Sequence, residues 1–347
     1  MRRERLTSSE MATLVGCMRK FYYRYEMGLQ HTSEKAALTF GSAWHRAMEA
    51  RWTGQNAAEA LEAATAEFLT LDELQVSTLT GLLTGYYAHY EHDPIAELKP
   101  EQEFRFPLER SRTFDVAGKI DGLGTHEDGR PLLLEHKTTS DSVEPDSDYW
   151  DRLRCNNQIM QYVHAARVCG IPVELILYDV TRKPSIKPKS IPILDEQGLK
   201  ICLSNDTSER VMNKNGKPRE SSGEGMTIQT RAETAEEYGQ RLTMDIATRP
   251  DFYFARREVP VLDQDMDEFV VQRLEISRMI LGFRRASRAM AKPHQAWPRN
   301  SSSMQCGFCE YKGFCLQNIE VDPANPPAGF IVGEKHPELT AVNKEVV

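Results

Sequence analysis

The chain has 347 residues, of which 40% are hydrophobic and 27% charged; that is enough for about two ordinary domains and a sizeable core. With 21 Gly and 18 Pro it is neither collagen-like nor of low complexity, and its apolar content argues against wholesale disorder. The 43 Lys and Arg against 51 Asp and Glu leave a formal charge of −8, which disfavours indiscriminate coating of nucleic acid but leaves room for a local basic groove.

The first 95 residues read as mainly helical. One helix is expected from Ser8 or Ser9 through Tyr25 and another from Phe40 through Trp52, punctuated by Gly28 and Gly54. A third covers Asn56 to Leu74, and a last one runs into Tyr90 before Asp93 and Pro94 stop it. From Pro100 the period shortens: Phe104, Phe106 and Leu108 alternate with charged residues. Phe114 to Leu123 and Leu132 to Thr138 follow as strands joined by a turn at Asp128 and Gly129, giving a three-stranded antiparallel meander. Trp150 to Val168 returns to helical spacing, and Val173 to Val180 is a short apolar strand. Asp195 to Gly225 is polar and rich in Ser, Asn, Gly and Lys, so an irregular or mobile excursion is expected. Helices over Ala235 to Ala247 and Met266 to Met290 follow, and the tail beyond Pro326 shows no structural signal. Met1 to Glu10 is polar and basic, and no apolar run approaches the roughly 18 residues of a membrane span, so neither secretion nor membrane insertion is expected.

Chemistry concentrates on the second and third strands. Gly118, Lys119, Ile120, Asp121 precede the hairpin, and Glu135, His136, Lys137 return from it. Alternation places Glu135 and Lys137 on one face, and the turn position lets Asp121 and Glu135 meet across the ladder. Oxygen ligands from neighbouring strands suit Mg²⁺ or Mn²⁺, with Lys137 beside them to orient a water or to offset charge developing at phosphorus. Leu132, Leu133 and Leu134 run directly into Glu135, so its carboxylate needs a cation or Lys137 as compensation; a buried structural ion pair satisfies the same demand. Upstream, Gly41 to His45 opens a helix with a histidine one turn in. Downstream, Gln158 and Tyr162 share a helical face at i and i+4.

The ordered set Gly41 to His45, Gly118 to Asp121, Glu135 to Thr138 and Gln158 to Tyr162 resembles the RecB-family branch of the PD-(D/E)XK nucleases. The resemblance implies an α/β restriction-endonuclease-like core, a mixed sheet flanked by helices. It implies that His45, Asp121, Glu135 and the backbone carbonyl of His136 bind the divalent metal, that Lys137 assists the nucleophile, and that Gln158 and Tyr162 lie beside the DNA. It also implies a cytoplasmic protein of a bacterial or phage-infected cell.

Of the seven cysteines, Cys306, Cys309 and Cys315 have the close spacing of metal ligands, and Cys17 near the other terminus completes a set of four thiolates. Their chemistry accepts either zinc or an iron–sulfur cluster. Cys155, Cys169 and Cys202 have no ligand spacing and read as ordinary thiols. The opening Ser9, Cys17, Arg19, Phe21, Tyr22, Tyr25 with the closing Cys306, Cys309, Cys315 resembles the split iron–sulfur staple of AddB nucleases, CRISPR-associated RecB-like exonucleases and phage relatives, and implies a 4Fe–4S cluster. Met18 departs from the proline common after the first cysteine. No G-x-x-x-x-G-K-[ST] phosphate loop is present, so no helicase motor is expected and the larger fused helicase–nuclease subunits are not the model the resemblance implies.

The expected organisation is an N-terminal helical region over 1–95, a nuclease core over 96–194, a polar insertion or flap over 195–230, C-terminal helices with the cysteines over 231–325, and a tail over 326–347. Lys and Arg outnumber acids from Arg182 to Arg219 and from Arg273 to Arg299, and these stretches are candidates to line a DNA path. Tyr22, Tyr23 and Tyr25, or Phe252, Tyr253 and Phe254 with Arg256 and Arg257, are candidates to stack unpaired bases. The functional expectation is a metal-dependent deoxyribonuclease, an exonuclease on single-stranded ends in repair, recombination or phage DNA processing, working with a helicase or recombination partner. The alternative is a catalytically silent DNA-binding or complex-assembly subunit with the same fold; a zinc-stapled RNA-processing enzyme is a further reading.

Overall fold

The computed structural model describes residues 3–32, 36–154 and 156–339; Cys155 lies outside them. β1 (Glu4–Leu6) leads into α1 (Ser8–Gly16), α2 (Met18–Phe21), a π-helical turn over Tyr22–Glu26, and β2 (Leu29–His31). The single helix expected up to Tyr25 is broken because Cys17 is extended, at φ −163° and ψ 112°. Next come α3 (Ala36–Trp52), α4 (Ala57–Glu67) and α5 (Glu73–His89). The helix expected over Asn56 to Leu74 is shorter and ends at Glu67. Asp72 starts a new helix there, accepting from Gln75 N at 2.8 Å while the Gln75 side chain accepts from Asp72 N at 2.9 Å, a reciprocal cap.

β3 (Ile95–Pro107), β4 (Phe114–His126) and β5 (Pro131–Thr139) form the antiparallel meander read from the sequence. α6 (Asp148–Arg154) and α7 (Asn157–Val168) cross to β6 (Leu175–Arg182), which pairs parallel to β5. The helix expected from Trp150 to Val168 is therefore divided, and Asn156 caps its second half by accepting from Gln158 N at 2.8 Å. Between β6 and α8 (Ala235–Thr248) the polar segment carries short strands that its composition did not reveal. β7 (Ser190–Pro192) pairs with β10 (Thr230–Ala232), and β8 (Cys202–Ser204) with β9 (Met226–Ile228), both antiparallel. Gly198, Gly216 and Gly225 take positive φ of 78°, 72° and 69° at the turns, which is why this composition forms hairpins.

α9 (Pro250–Tyr253) and β11 (Phe254–Glu258) precede α10 (Asp263–Arg288), and α11 (Ser303–Gly307), α12 (Lys312–Leu316), β12 (Phe330–Val332) and a 3-10 turn over Pro337–Leu339 follow. β12 pairs antiparallel with β2, so the tail has a strand that composition did not reveal. The mixed sheet runs β1-β4-β5-β6-β11, with β3 on the other edge of β4. Alternation along β5 divides its leucines. Leu133 joins the core containing Ile159 and Val163 of α7 and Phe269 and Ile280 of α10, whereas Leu132 and Leu134 join Leu175 and Leu177 beneath Trp52 of α3. Burying each such leucine contributes about 1.5–3 kcal/mol; slipping β5 by one residue would send each set to the opposite face, out of the packing it fits, and turn Glu135 away from the site.

Candidate active site

Glu135 is 0% exposed at the end of the buried leucine run. Its Oε1 is held by the Lys137 ammonium, while its Oε2 is buried without a hydrogen-bond partner. Lys137 Nζ also donates to Gln158 Oε1 at 2.7 Å, and Gln158 Nε2 donates to Tyr162 OH at 2.9 Å. The sequence-predicted Gln and Tyr thus share one line with the lysine, on α7.

Pairing of β4 with β5 stops at Gly122 opposite Leu134. One residue beyond, Asp121 Oδ2 accepts from the backbone N of His136 at 2.9 Å, and His45 Nδ1 of α3 lies 3.4 Å from the same oxygen. Across β4 the pairs Pro100–Gly122 and Gln102–Ile120 bracket Glu101 and Asp121. Glu101 sits at φ 55°, a left-handed conformation that is uncommon for a residue with a Cβ, and it is ion-paired with Lys119. Donor atoms of His45, Glu101 and Asp121 all lie within 4.8 Å of one another. Glu101 was not anticipated; its only trace in the sequence is a carboxylate after Pro100. The Glu135 carboxylate lies outside that triplet, turned toward Lys137. A cavity of about 430 Å³ opens over the triplet, lined also by Ser42, Arg46, Glu49, Phe68 and Lys119.

Burial first, and then the neighbouring Asp121 charge, push the Glu135 carboxyl up to about 7 against the pull of Lys137. Burial likewise raises Asp121, although the Lys137 charge and the His136 backbone N–H oppose it. Removal from water lowers the His45 imidazole to about 3, leaving it neutral with a lone pair to share. Lys137 is held above the usual lysine range: burial works against its charge, but Glu135 and Asp121 outweigh it. Crowded carboxylates, a neutral imidazole and an orphaned buried oxygen fit a hard divalent cation, which would relieve the repulsion.

The cysteine set is arranged differently. Among the described residues, Cys17, Cys306, Cys309 and Cys315 are free thiols and line one narrow cavity of about 30 Å³, but they do not draw together at single-ion spacing as His45, Glu101 and Asp121 do. Asn300 N donates to Cys17 Sγ at 3.5 Å. Around them the two chain ends are laced together: Arg19 Nε donates to Trp297 O at 2.9 Å, Tyr311 OH donates to Leu29 O at 2.8 Å, and Phe21 stacks on Trp297 with centroids 5.5 Å apart. Cys202 is buried, and Cys169 is exposed.

Several residues proposed for DNA contact serve the core instead. Tyr23, Tyr25, Tyr253 and Phe254 are buried, and Arg256 is engaged with Asp93 at 2.6 Å. Arg284 binds Glu4 and Glu26 at 2.9 and 2.8 Å, and Arg273 is 1% exposed. Phe252 alone of the second aromatic group keeps partial exposure, with the Arg182 and Arg249 guanidinium carbons each 4.1 Å from its ring centroid.

A mixed sheet flanked by helices, with acidic donors and a lysine at the edge where two strands part, fits the class of metal-dependent phosphodiester hydrolases. The profile of the PD-(D/E)XK nuclease superfamily matches residues 5–316, and the chain belongs to that superfamily. Its members are metal-dependent nucleases, with DNA as the substrate that the fold implies. No curated protein matches the sequence. Among solved structures, SSO0001 is similar at 9% identity and TM-score 0.27, over 72% of this chain and 77% of that one. VC1899 from Vibrio cholerae is similar at 9% identity and TM-score 0.15, over 48% and 51%. Likeness this distant leaves the details of function to the site itself. Among the described residues no helix is long and apolar enough to cross a membrane.

Proposed function

We propose that the protein is a Mg²⁺- or Mn²⁺-dependent deoxyribonuclease of the RecB-like branch, an exonuclease trimming single-stranded DNA ends. The observation that carries this reading is the Glu135 carboxylate, wholly buried with one oxygen on Lys137 and the other unpartnered, next to Asp121. His45, Asp121, Glu135 and the His136 carbonyl would hold the ion, with Glu101 at hand as a further oxygen donor. When bound, the cation supplies Lewis acidity toward the scissile phosphate.

The chain's own groups do the rest. Lys137, kept charged and aimed by Glu135 and Gln158, offsets charge developing on the phosphoryl oxygens and orients the attacking water. Water adds in line to phosphorus, the P–O bond to the leaving nucleoside breaks, and the departing oxygen takes up a proton. Gln158 and Tyr162 hold the strand beside the lysine. The 430 Å³ cavity is of the size that takes one nucleotide; its cations Arg46 and Lys119 are paired with Glu49, Glu67 and Glu101, so a bound metal ion would supply the positive charge that receives a phosphate there. Exposed cations between Arg182 and Arg219 would track the backbone.

We further infer that Cys17, Cys306, Cys309 and Cys315 ligate a structural 4Fe–4S cluster. The reading rests on the sequence spacing of the four cysteines and on their thiols lining one cavity, and a cluster holds its thiolates farther apart than a single zinc ion does. Repair, recombination or phage DNA processing alongside a helicase, in bacterial cytoplasm, is the setting this reading implies. Digestion of end-labelled single- and double-stranded DNA by anaerobically purified protein, with Mn²⁺ and Mg²⁺ in turn, tests it. Stepwise shortening of the single strand that Glu135→Ala abolishes is expected; full activity in that variant would overturn the catalytic reading. Iron and sulfide in equal amounts are expected per chain, and a colourless, iron-free protein would overturn the cluster.

A further inference from the structure

His136 stands between Glu135 and Lys137 and so points to the opposite face of β5. An imidazole 2% exposed there needs partners for both nitrogens. Trp52 Nε1 donates to its Nε2 at 3.1 Å. Because an indole N–H can only donate, Nε2 is the bare nitrogen and the proton resides on Nδ1. That nitrogen lies 2.9 Å from Asp179 Oδ2, an ion-pair distance without hydrogen-bond alignment. Strand register makes this a row: His136 pairs with Asp179 across β5 and β6, and Asp179 pairs with Arg256 across β6 and β11. Arg256 Nε is 3.3 Å from Asp179 Oδ1 and its other nitrogens bind Asp93 at 2.6 and 2.9 Å. Asp179 also accepts from Tyr86 OH. Burial opposes the Asp179 charge, but Arg256 and His136 outweigh it and hold the carboxyl well below the usual range.

The row leads to one peptide. The backbone N of His136 orients Asp121, and its carbonyl is among the groups proposed to face the ion. We propose that Asp179 and Trp52 are positioning residues that clamp the His136 imidazole from both sides and thereby set the ion-binding backbone of residue 136. This rests on the metal reading above, and touches neither substrate nor ion directly. The buried Asp179–Arg256–Asp93 pairs alone would stabilise the fold; what singles out a positioning role is the imidazole interposed between the ion pair and the site.

Mn²⁺ titration of metal-free protein, followed by the electron paramagnetic resonance of free Mn²⁺ at a temperature where every variant is folded, tests it. Trp52→Phe removes only the indole N–H and should raise the Mn²⁺ Kd by roughly 10-fold, and Asp179→Asn by roughly 10- to 100-fold. Trp52→His, which offers a ring N–H at the same place, should recover part of the loss. If wild type binds Mn²⁺ and both primary variants stay within twofold of it, the positioning role is overturned, whatever their melting temperatures. If Asp179→Asn does not fold, Trp52→Phe decides. A wild type that binds no Mn²⁺ would overturn the metal reading and this inference with it.

Discussion

Proton and metal compete for Glu135, and the structure sets the scale of that competition. With the carboxyl pushed up to about 7, it is about nine-tenths ionised at pH 8 and about one-hundredth ionised at pH 5. An ion that requires the carboxylate therefore binds about a hundredfold more weakly at pH 5 than at pH 8, or ~2.7 kcal/mol at 1.36 kcal/mol per tenfold. The raised Asp121 makes the fall steeper still. The same shift governs stability without metal. Folded Glu135 binds its proton more tightly than the unfolded carboxyl, whose ordinary value is 4.5. Its contribution is thus complete below about 4.5 and is lost as pH rises through about 7. Added Mn²⁺ should consequently raise the melting temperature more at pH 8 than at pH 5. Calorimetric titration with Mn²⁺ from pH 5 to 8, on wild type and Glu135→Gln, is the assay. A wild-type affinity that is flat over this range would refute the reasoning, as would a pH dependence left unchanged by the substitution.

Lys137→Ala should lower the DNA cleavage rate by roughly a hundredfold to a thousandfold while Mn²⁺ still binds; single-turnover kinetics beside a metal titration checks both. Gly124→Ala would place its Cβ 1.9 Å from the Glu97 carbonyl oxygen, so β3 must shift, and chemical denaturation should show a loss of about 1–3 kcal/mol or more. Trp297→Ala removes a fully buried ring packed on Phe21 and Phe283. It should cost about 3–5 kcal/mol, seen in the same experiment.

What the sequence disclosed and what it hid have physical causes. Glu135 and Lys137 are legible because strand alternation is local, and Asp121 because a hairpin turn fixes its distance from them. Gln158 and Tyr162 follow from helical spacing within α7. Glu101 is hidden because it acquires its place only through the left-handed backbone at that residue and the register of β3 on β4. The row of His136, Asp179 and Arg256 is hidden for a similar reason: strands distant in the chain must first be laid side by side. Arg284 looked like a phosphate ligand because its acids, Glu4 and Glu26, come from the other end of the chain. The break at Asp72 was readable, since Asp72 and Gln75 form a recognisable cap, whereas the extended Cys17 has no local signature. β11 is too short, and its pairing with β6 too remote in sequence, for periodicity to reveal.

The central claim is that these strands hold a divalent ion beside Lys137. A crystal equilibrated with Mn²⁺ and measured at the manganese absorption edge tests it most directly. An anomalous peak is expected at coordination distance from Asp121, Glu135, His45 and the His136 carbonyl, with Lys137 adjacent. A well-ordered site with no peak there would contradict it.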